Sequence, residues 1–205
     1  MVNLKASLWR GRKIGLLGGS FNPAHQGHLM ISHQALLHLK LDEVWWLVSP
    51  QNPLKSATGM ATEESRLKAA HLVARDRRIK PMLLESALGT QYTADTLATL
   101  TQECHSAHFV WLMGADNLVQ FPRWRNWENI LHTVPIAVFG RPHYSLGAMT
   151  SIVAKRYSAY RVQASAASKL ARAKAPAWTF IHYRHDPISA TQLREARPAS
   201  ATPAP

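Results

Sequence analysis

The feature that most narrows the fold is a short apolar run, Ile14-Gly15-Leu16-Leu17-Gly18, which halts at Gly18 and Gly19 and passes within a few residues into helical spacing. A run of that length ended by glycines is the pattern of a buried parallel strand entering a tight turn. From His25 to Lys40 the apolar residues Leu29, Ile31, Leu36, Leu37 and Leu39 fall mostly at helical intervals, and Glu43 to Val48 reads as a second strand. The alternation continues after the turn residues of Pro50 to Gly59. A helix is predicted over Thr62–Ala74, opened by Thr62, then a weak strand over Lys80–Leu84 and a helix over Tyr92–Glu103. Beyond these come a strand over His108–Met113 ending at Gly114, a short helix over Trp124–Leu131, a strand over Thr133–Phe139 closed by Gly140 and Pro142, and a last strand over Trp178–Tyr183.

Each parallel strand pair needs a crossover that covers the sheet, so this alternation predicts an α/β, Rossmann-like, doubly wound architecture: a mostly parallel sheet with helices on both faces. The 205 residues, 46% of them hydrophobic, suffice for one core and fall short of two, which predicts a single domain over residues 1–197. Residues 145–175, rich in Ala, Ser, Lys and Arg, read as helical with a solvated basic face, and the Pro, Ala, Ser and Thr of 198–205 as a disordered tail. In such sheets ligands bind outside the carboxyl ends of the strands, so the residues following each apolar run are the candidates for function.

Charge and cysteine content narrow the partners. Apolar runs such as Val44–Val48 are far below the roughly 20 residues of a membrane span, and nothing after the first lysines resembles a signal peptide. With one cysteine, Cys104, the chain has no intramolecular disulfide and no Cys-based zinc site, which fits a reducing compartment, and a cytoplasmic location is expected. A net charge of +12 points to anionic partners. The basic residues are spread from Lys5 to Arg197 without zinc-finger spacing or an RRM-type aromatic signature, so phosphate-rich small molecules are favoured over nucleic acid and no membrane partner is expected.

The densest signal is Gly18-Gly19-Ser20-Phe21-Asn22-Pro23-Ala24-His25-Gln26-Gly27-His28, where the first strand hands over to the first helix. Glycines let the backbone turn and approach a ligand, while a helix start offers unpaired N–H groups and partial positive charge to an anion. His25 and His28, three apart, share one face of the opening turn. Phosphoryl-type transfer asks a protein mainly to hold attacker and leaving group in line and to stabilise charge on oxygen, a task suited to two imidazoles and a helix terminus. A second helix start lies beyond the last strand, in Ile188-Ser189-Ala190-Thr191-Gln192-Leu193-Arg194, where Ser189 or Thr191 could cap and Arg194 shares a face with Thr191. In the middle of the chain, Asp116 at a strand's carboxyl end could accept hydrogen bonds from ribose hydroxyls, or simply cap a helix. Trp124 could stack on a planar ring, or belong to the core. Tyr92-Thr93-Ala94-Asp95 is a further helix start whose N–H groups could hold a carboxylate, a plain Thr93 cap being the alternative.

The first segment resembles the HxGH signature of the nucleotidyltransferase superfamily, here His25-Gln26-Gly27-His28, and the second resembles its Ile-Ser-x-Thr-x-x-Arg motif. Between them Tyr-Thr-x-x-Thr-Leu, Gly-x-Asp, Phe-x-x-Trp and Arg-Pro are similar to the pattern of bacterial nicotinate-mononucleotide adenylyltransferases, over roughly residues 13–195. The resemblance implies transfer of AMP from ATP to nicotinate mononucleotide, giving nicotinate adenine dinucleotide and pyrophosphate, with Mg2+ carried by the ATP rather than held in a protein cage. It implies catalytic roles for His25, His28 and Arg194. It implies ATP contacts from Gly18, Gly19, Ser20, Phe21, Gly27, Asp116, Ser189 and Thr191, and acceptor contacts from Asn22, Lys55, Tyr92, Thr93, Asp116 and Trp124, with Trp124 on the pyridine ring. Acceptors such as nicotinamide mononucleotide or phosphopantetheine, and a nonenzymatic nucleotide- or nucleic-acid-binding protein, are the alternatives. The chain departs from the resemblance after Arg194, where family members commonly run on into another helix, and a homo-oligomer is left open.

Overall fold

In the computed structural model, which describes residues 6–50, 60–140 and 145–182, six strands form one parallel sheet. They are β1 (Lys13–Gly19), β2 (Glu43–Val48), β3 (Ile79–Met82), β4 (His108–Gly114), β5 (Ile136–Phe139) and β6 (Trp178–Ile181), in the order β3-β2-β1-β4-β5-β6. The chain runs outward from β1 to β3, returns to the middle, and runs outward again through β6. Successive residues of each strand feed opposite faces. Ile14, Leu16, Trp45, Leu47, Phe109, Trp111, Met113, Ile136, Val138, Trp178 and Phe180 enter one buried cluster, and Leu17, Val44, Trp46, Val48, Val110, Leu112, Ala137, Phe139 and Ile181 the other. Both faces are covered, so the strands show apolar runs rather than alternation.

Helices α1 (Gln26–His38) and α2 (Glu63–Val73) cover the second face, together with a 3-10 segment over Ala164–Arg172. The first face is covered by α3 (Leu84–Leu88), α4 (Thr93–Glu103), α5 (Ala115–Gln120), α6 (Trp127–Thr133), α7 (Ser145–Met149) and α8 (Ile152–Arg156). The expected architecture, doubly wound with helices on both faces, is the one found. The Thr62 cap is found too, its Oγ1 accepting the Ser65 N–H at 3.3 Å.

Several boundaries differ from expectation for identifiable reasons. β3 stops at Met82 because Leu84 opens α3, whose apolar residues continue the run and mask the change. β3 also carries Pro81, tolerated because it is an edge strand. The helix expected from Trp124 begins at Trp127, preceded by a 3-10 turn over Phe121–Arg123, and β5 begins at Ile136 rather than Thr133, which still belongs to α6. Residues 145–175 are broken into short pieces instead of one helix. Ala167 and Leu170, three apart and buried, match the three-residue period of the 3-10 segment there. The basic residues of the stretch, Lys155, Arg156, Arg161, Lys169, Arg172 and Lys174, are exposed, as a solvated face requires. Beyond Ile181 only His182 is described, so the rest of the expected last strand, the 197 boundary and the 198–205 tail lie outside the described residues.

At the amino end of the sheet the Glu43 carboxylate is enclosed by Lys80 Nζ at 2.8 Å, Arg12 Nη2 at 2.9 Å and Trp45 Nε1 at 2.9 Å. Burial would raise its pKa, but the bonds from Lys80, Trp45 and Arg12 outweigh burial and hold it below the usual carboxylate value.

Candidate active site

The strand order reverses between β1 and β4, and a parallel sheet opens a crevice at the carboxyl ends of such a pair. β1 delivers its glycines and two histidines there, and β4 delivers Gly114, Ala115 and Asp116.

The two histidines build the start of α1 out of each other. His25 is the N-cap residue, and its Nδ1 accepts the Gly27 N–H at 3.0 Å; His28 Nδ1 accepts the His25 N–H at 3.2 Å. This is a capping box with imidazoles in place of the usual hydroxyl and carboxylate. Because each Nδ1 accepts, the proton of each neutral ring resides on Nε2, which makes Nε2–H a donor. The ring centroids are 3.9 Å apart, and His25 is buried. Phe21 supports the pair, with its ring 4.5 Å from His28 and stacked at 5.1 Å on Trp46. Trp46 Nε1 donates to Ser32 Oγ at 2.7 Å, and that hydroxyl donates to the His28 carbonyl at 2.8 Å, tying the first turn of α1 to the second strand.

The two glycines of the turn differ. A Cβ on Gly18 would come 2.5 Å from Trp111 Cη2, so Gly18 is required by packing against β4. At Gly19 the same atom would make only ordinary contact with Phe21, so packing does not require glycine there. The left-handed backbone falls on Phe21, φ 46°, rather than on a glycine, at a cost of about 1–2 kcal/mol for an L-residue. Asn22 Oδ1 accepts the Ala61 N–H at 3.4 Å, and the Ser20 carbonyl accepts from Arg66 at 2.6 Å.

On the other side of the crevice Asp116 is the second residue of α5, whose cap position is Gly114, so Asp116 does not act as the N-cap. Trp124 is half-buried and meets Phe121 at 5.3 Å and Trp111 at 6.2 Å, both edge-on. Tyr92 is the cap residue of α4 and makes no side-chain cap bond; Thr93 is the first helical residue, so the plain Thr93 cap is not formed. The Arg125 guanidinium lies 4.5 Å above the Tyr92 ring, which joins the Tyr92-Thr93 and Trp124 segments. Lys55, Ser189, Thr191 and Arg194 lie outside the described residues.

Sequence reasoning passed over Arg66, Trp46, Ser32, Arg125 and Glu85. Arg66 carried a signal, since it stands four residues before Ala70 and seven before Val73 on the buried stripe of α2. Glu85, in α3 at the carboxyl end of β3, is buried with Oε2 unbonded, and burial, then the charge of Glu63, raises its pKa to about 7. Among the described residues no three His, Cys, Asp or Glu side chains group to hold a metal ion, and no helix is long and apolar enough to cross a membrane.

The family model described as cytidylyltransferase-like matches residues 16–196. A protein of Parvibaculum lavamentivorans named "Probable nicotinate-nucleotide adenylyltransferase" is 51% identical over 90% of this chain and 92% of its own. One of Bradyrhizobium with the same name is 50% identical over 89% and 95%. The structure of Plasmodium falciparum nicotinic acid mononucleotide adenylyltransferase complexed with NaAD shares the fold, with a TM-score of 0.67 at 17% identity over 90% of this chain and 83% of that one. The chain belongs to the cytidylyltransferase-like family, in the branch whose members bear the name nicotinate-nucleotide adenylyltransferase.

Proposed function

We propose that the chain joins AMP from ATP to nicotinate mononucleotide, releasing pyrophosphate and forming nicotinate adenine dinucleotide in NAD biosynthesis. The observation that carries this reading is the double-histidine cap: two Nε2–H donors held at a helix start, at the point where the strand order reverses. A phosphate oxygen of the acceptor attacks the α-phosphorus of ATP, one P–O bond forms, and the bond to the leaving pyrophosphate breaks in line. His25 and His28 donate through Nε2 to phosphate oxygens as charge accumulates, and Ser20 and Phe21 with the glycines of the turn line the same seat.

Asp116 is assigned to ribose hydroxyls and Trp124 to the pyridine ring. The first N–H groups of α4, uncapped by Tyr92, are assigned to the acceptor's carboxylate. Asn22 borders the acceptor side. Lys55 is assigned to the acceptor's phosphate and Ser189, Thr191 and Arg194 to the triphosphate on sequence motif alone. Magnesium belongs with the triphosphate, whose charge it offsets; among the described residues no three His, Cys, Asp or Glu side chains group to hold it. The single, buried Cys104 fits a cytoplasmic setting.

Protein mixed with ATP, magnesium and nicotinate mononucleotide should release pyrophosphate, with weaker turnover of nicotinamide mononucleotide. Absence of pyrophosphate with either acceptor would remove the reading.

A further inference from the structure

Arg66 is 2% exposed and sits in the first turn of α2, outside every motif named above. Its Nη1 donates to the Ser20 carbonyl at 2.6 Å and the Ser49 carbonyl at 2.8 Å, Nη2 to the Pro50 carbonyl at 3.0 Å, and Nε to the Ala61 carbonyl at 2.9 Å. One planar fork thus binds the turn after β1, the turn after β2 and the approach to α2, using four of its five N–H groups. Such a buried cation is costly, and its partners here are uncharged carbonyls.

The Ser20 bond has a consequence for the next residue. In a planar trans peptide the C=O and the following N–H point opposite ways, so a Ser20 carbonyl aimed at Arg66 turns the Phe21 N–H away from it. Phe21 is 1% exposed and its φ is 46°, yet its N–H makes no hydrogen bond to another described residue. A buried N–H with no acceptor among the described residues, on strained backbone four residues before the cap of α1, is prepared for an external acceptor.

We propose that Arg66 is a positioning residue: its guanidinium fixes the Ser20–Phe21 peptide so that the Phe21 N–H is presented to a phosphate oxygen of the nucleotide. The proposal rests on the functional reading above for the identity of that nucleotide. Arg66 touches no substrate. It acts through the backbone, and a lysine, with a single ammonium point, cannot span the same carbonyls.

The experiment compares the parent protein with Arg66→Lys and Arg66→Ala by steady-state kinetics, by calorimetric titration with ATP, and by thermal unfolding. Parent turnover is measured first: a parent that binds ATP but releases no pyrophosphate sinks the functional reading alone, and Arg66 is then judged on ATP affinity. Arg66→Lys, folded, should lose about tenfold or more in kcat/KM for ATP, with KM for nicotinate mononucleotide changed less. Arg66→Ala should lose about a hundredfold and recover at least tenfold in guanidinium chloride at millimolar concentration, with methylammonium giving no recovery. If Arg66→Ala does not fold, the lysine variant decides. A folded Arg66→Lys indistinguishable from the parent in kcat/KM and ATP affinity would overturn the proposal. So would losses that track the folded fraction alone, or an Arg66→Ala variant that folds and recovers nothing in guanidinium.

Discussion

At the amino end of the sheet the buried Glu43 carboxylate takes bonds from Lys80, Trp45 and Arg12, whereas at the carboxyl end Glu85 is buried with an unbonded oxygen, Arg66 meets only carbonyls, and Phe21 holds left-handed backbone. The two carboxylates report the difference: Glu43 is held below its usual pKa and Glu85 is pushed up to about 7. One end is closed on itself and serves stability. The other concentrates backbone strain and a buried, unbonded carboxylate oxygen, as ligand sites on a rigid scaffold do.

The comparison breaks most visibly at the histidines. His28→Ala should lower turnover about 10²- to 10³-fold, the usual effect of removing one donor to developing charge, with stability lowered by only the roughly 0.5–2 kcal/mol of a lost cap bond; pyrophosphate release and a melting curve check both halves. A variant that unfolds before it loses activity would move His28 to the structural side of the contrast.

Glu85 sharpens the comparison through pH. Below about 4.5 the carboxyl is protonated folded or unfolded and carries no penalty. Between about 4.5 and about 7 the unfolded chain releases the proton while the folded one keeps it, so stability falls as pH rises. Above about 7 the full loss is about 3 kcal/mol, and Glu85→Gln should flatten this slope in denaturant titrations run across the range. Glu43 has the opposite sign: its contribution is present above the ordinary carboxylate pKa and is lost in acid. Glu43→Gln should cost about 1–2 kcal/mol at neutral pH, discounted because Arg12 and Lys80 are themselves about 40% exposed, and should leave kcat alone. The smallest effect belongs to the solvated face, where Lys169→Ala and Lys174→Ala should each shift stability by less than about 0.5 kcal/mol.

These contrasts follow the line between what sequence pattern carries and what it leaves out. Strands that end on glycine, as at Gly19 and Gly114, announced themselves, because an apolar run and a turn residue are both local signals. The HxGH segment was legible as a phosphate site for the same reason. Its mechanism was less so: the expected glycine freedom at Gly18 is a packing requirement set by Trp111, nearly a hundred residues away, and the strained position is Phe21. Histidine as an N-cap lies outside the usual set of capping residues, so the reciprocal His25–His28 bonds follow only from coordinates. α3 was hidden because Met82, Leu83 and Leu84 read as one apolar run across a strand end and a helix start. Arg66 and Trp46 act through contacts distant in sequence, which no local period encodes.

The central claim is that the two imidazoles at the end of β1 face the nucleotide as Nε2–H donors. Nitrogen-15 correlation spectra of the imidazoles, assigned with His25 and His28 variants and recorded with and without ATP, test it directly. Both rings should show the Nε2–H tautomer, and both Nε2 resonances should shift on saturation with ATP. An Nδ1–H tautomer at either ring, or resonances that ignore bound ATP, would contradict it.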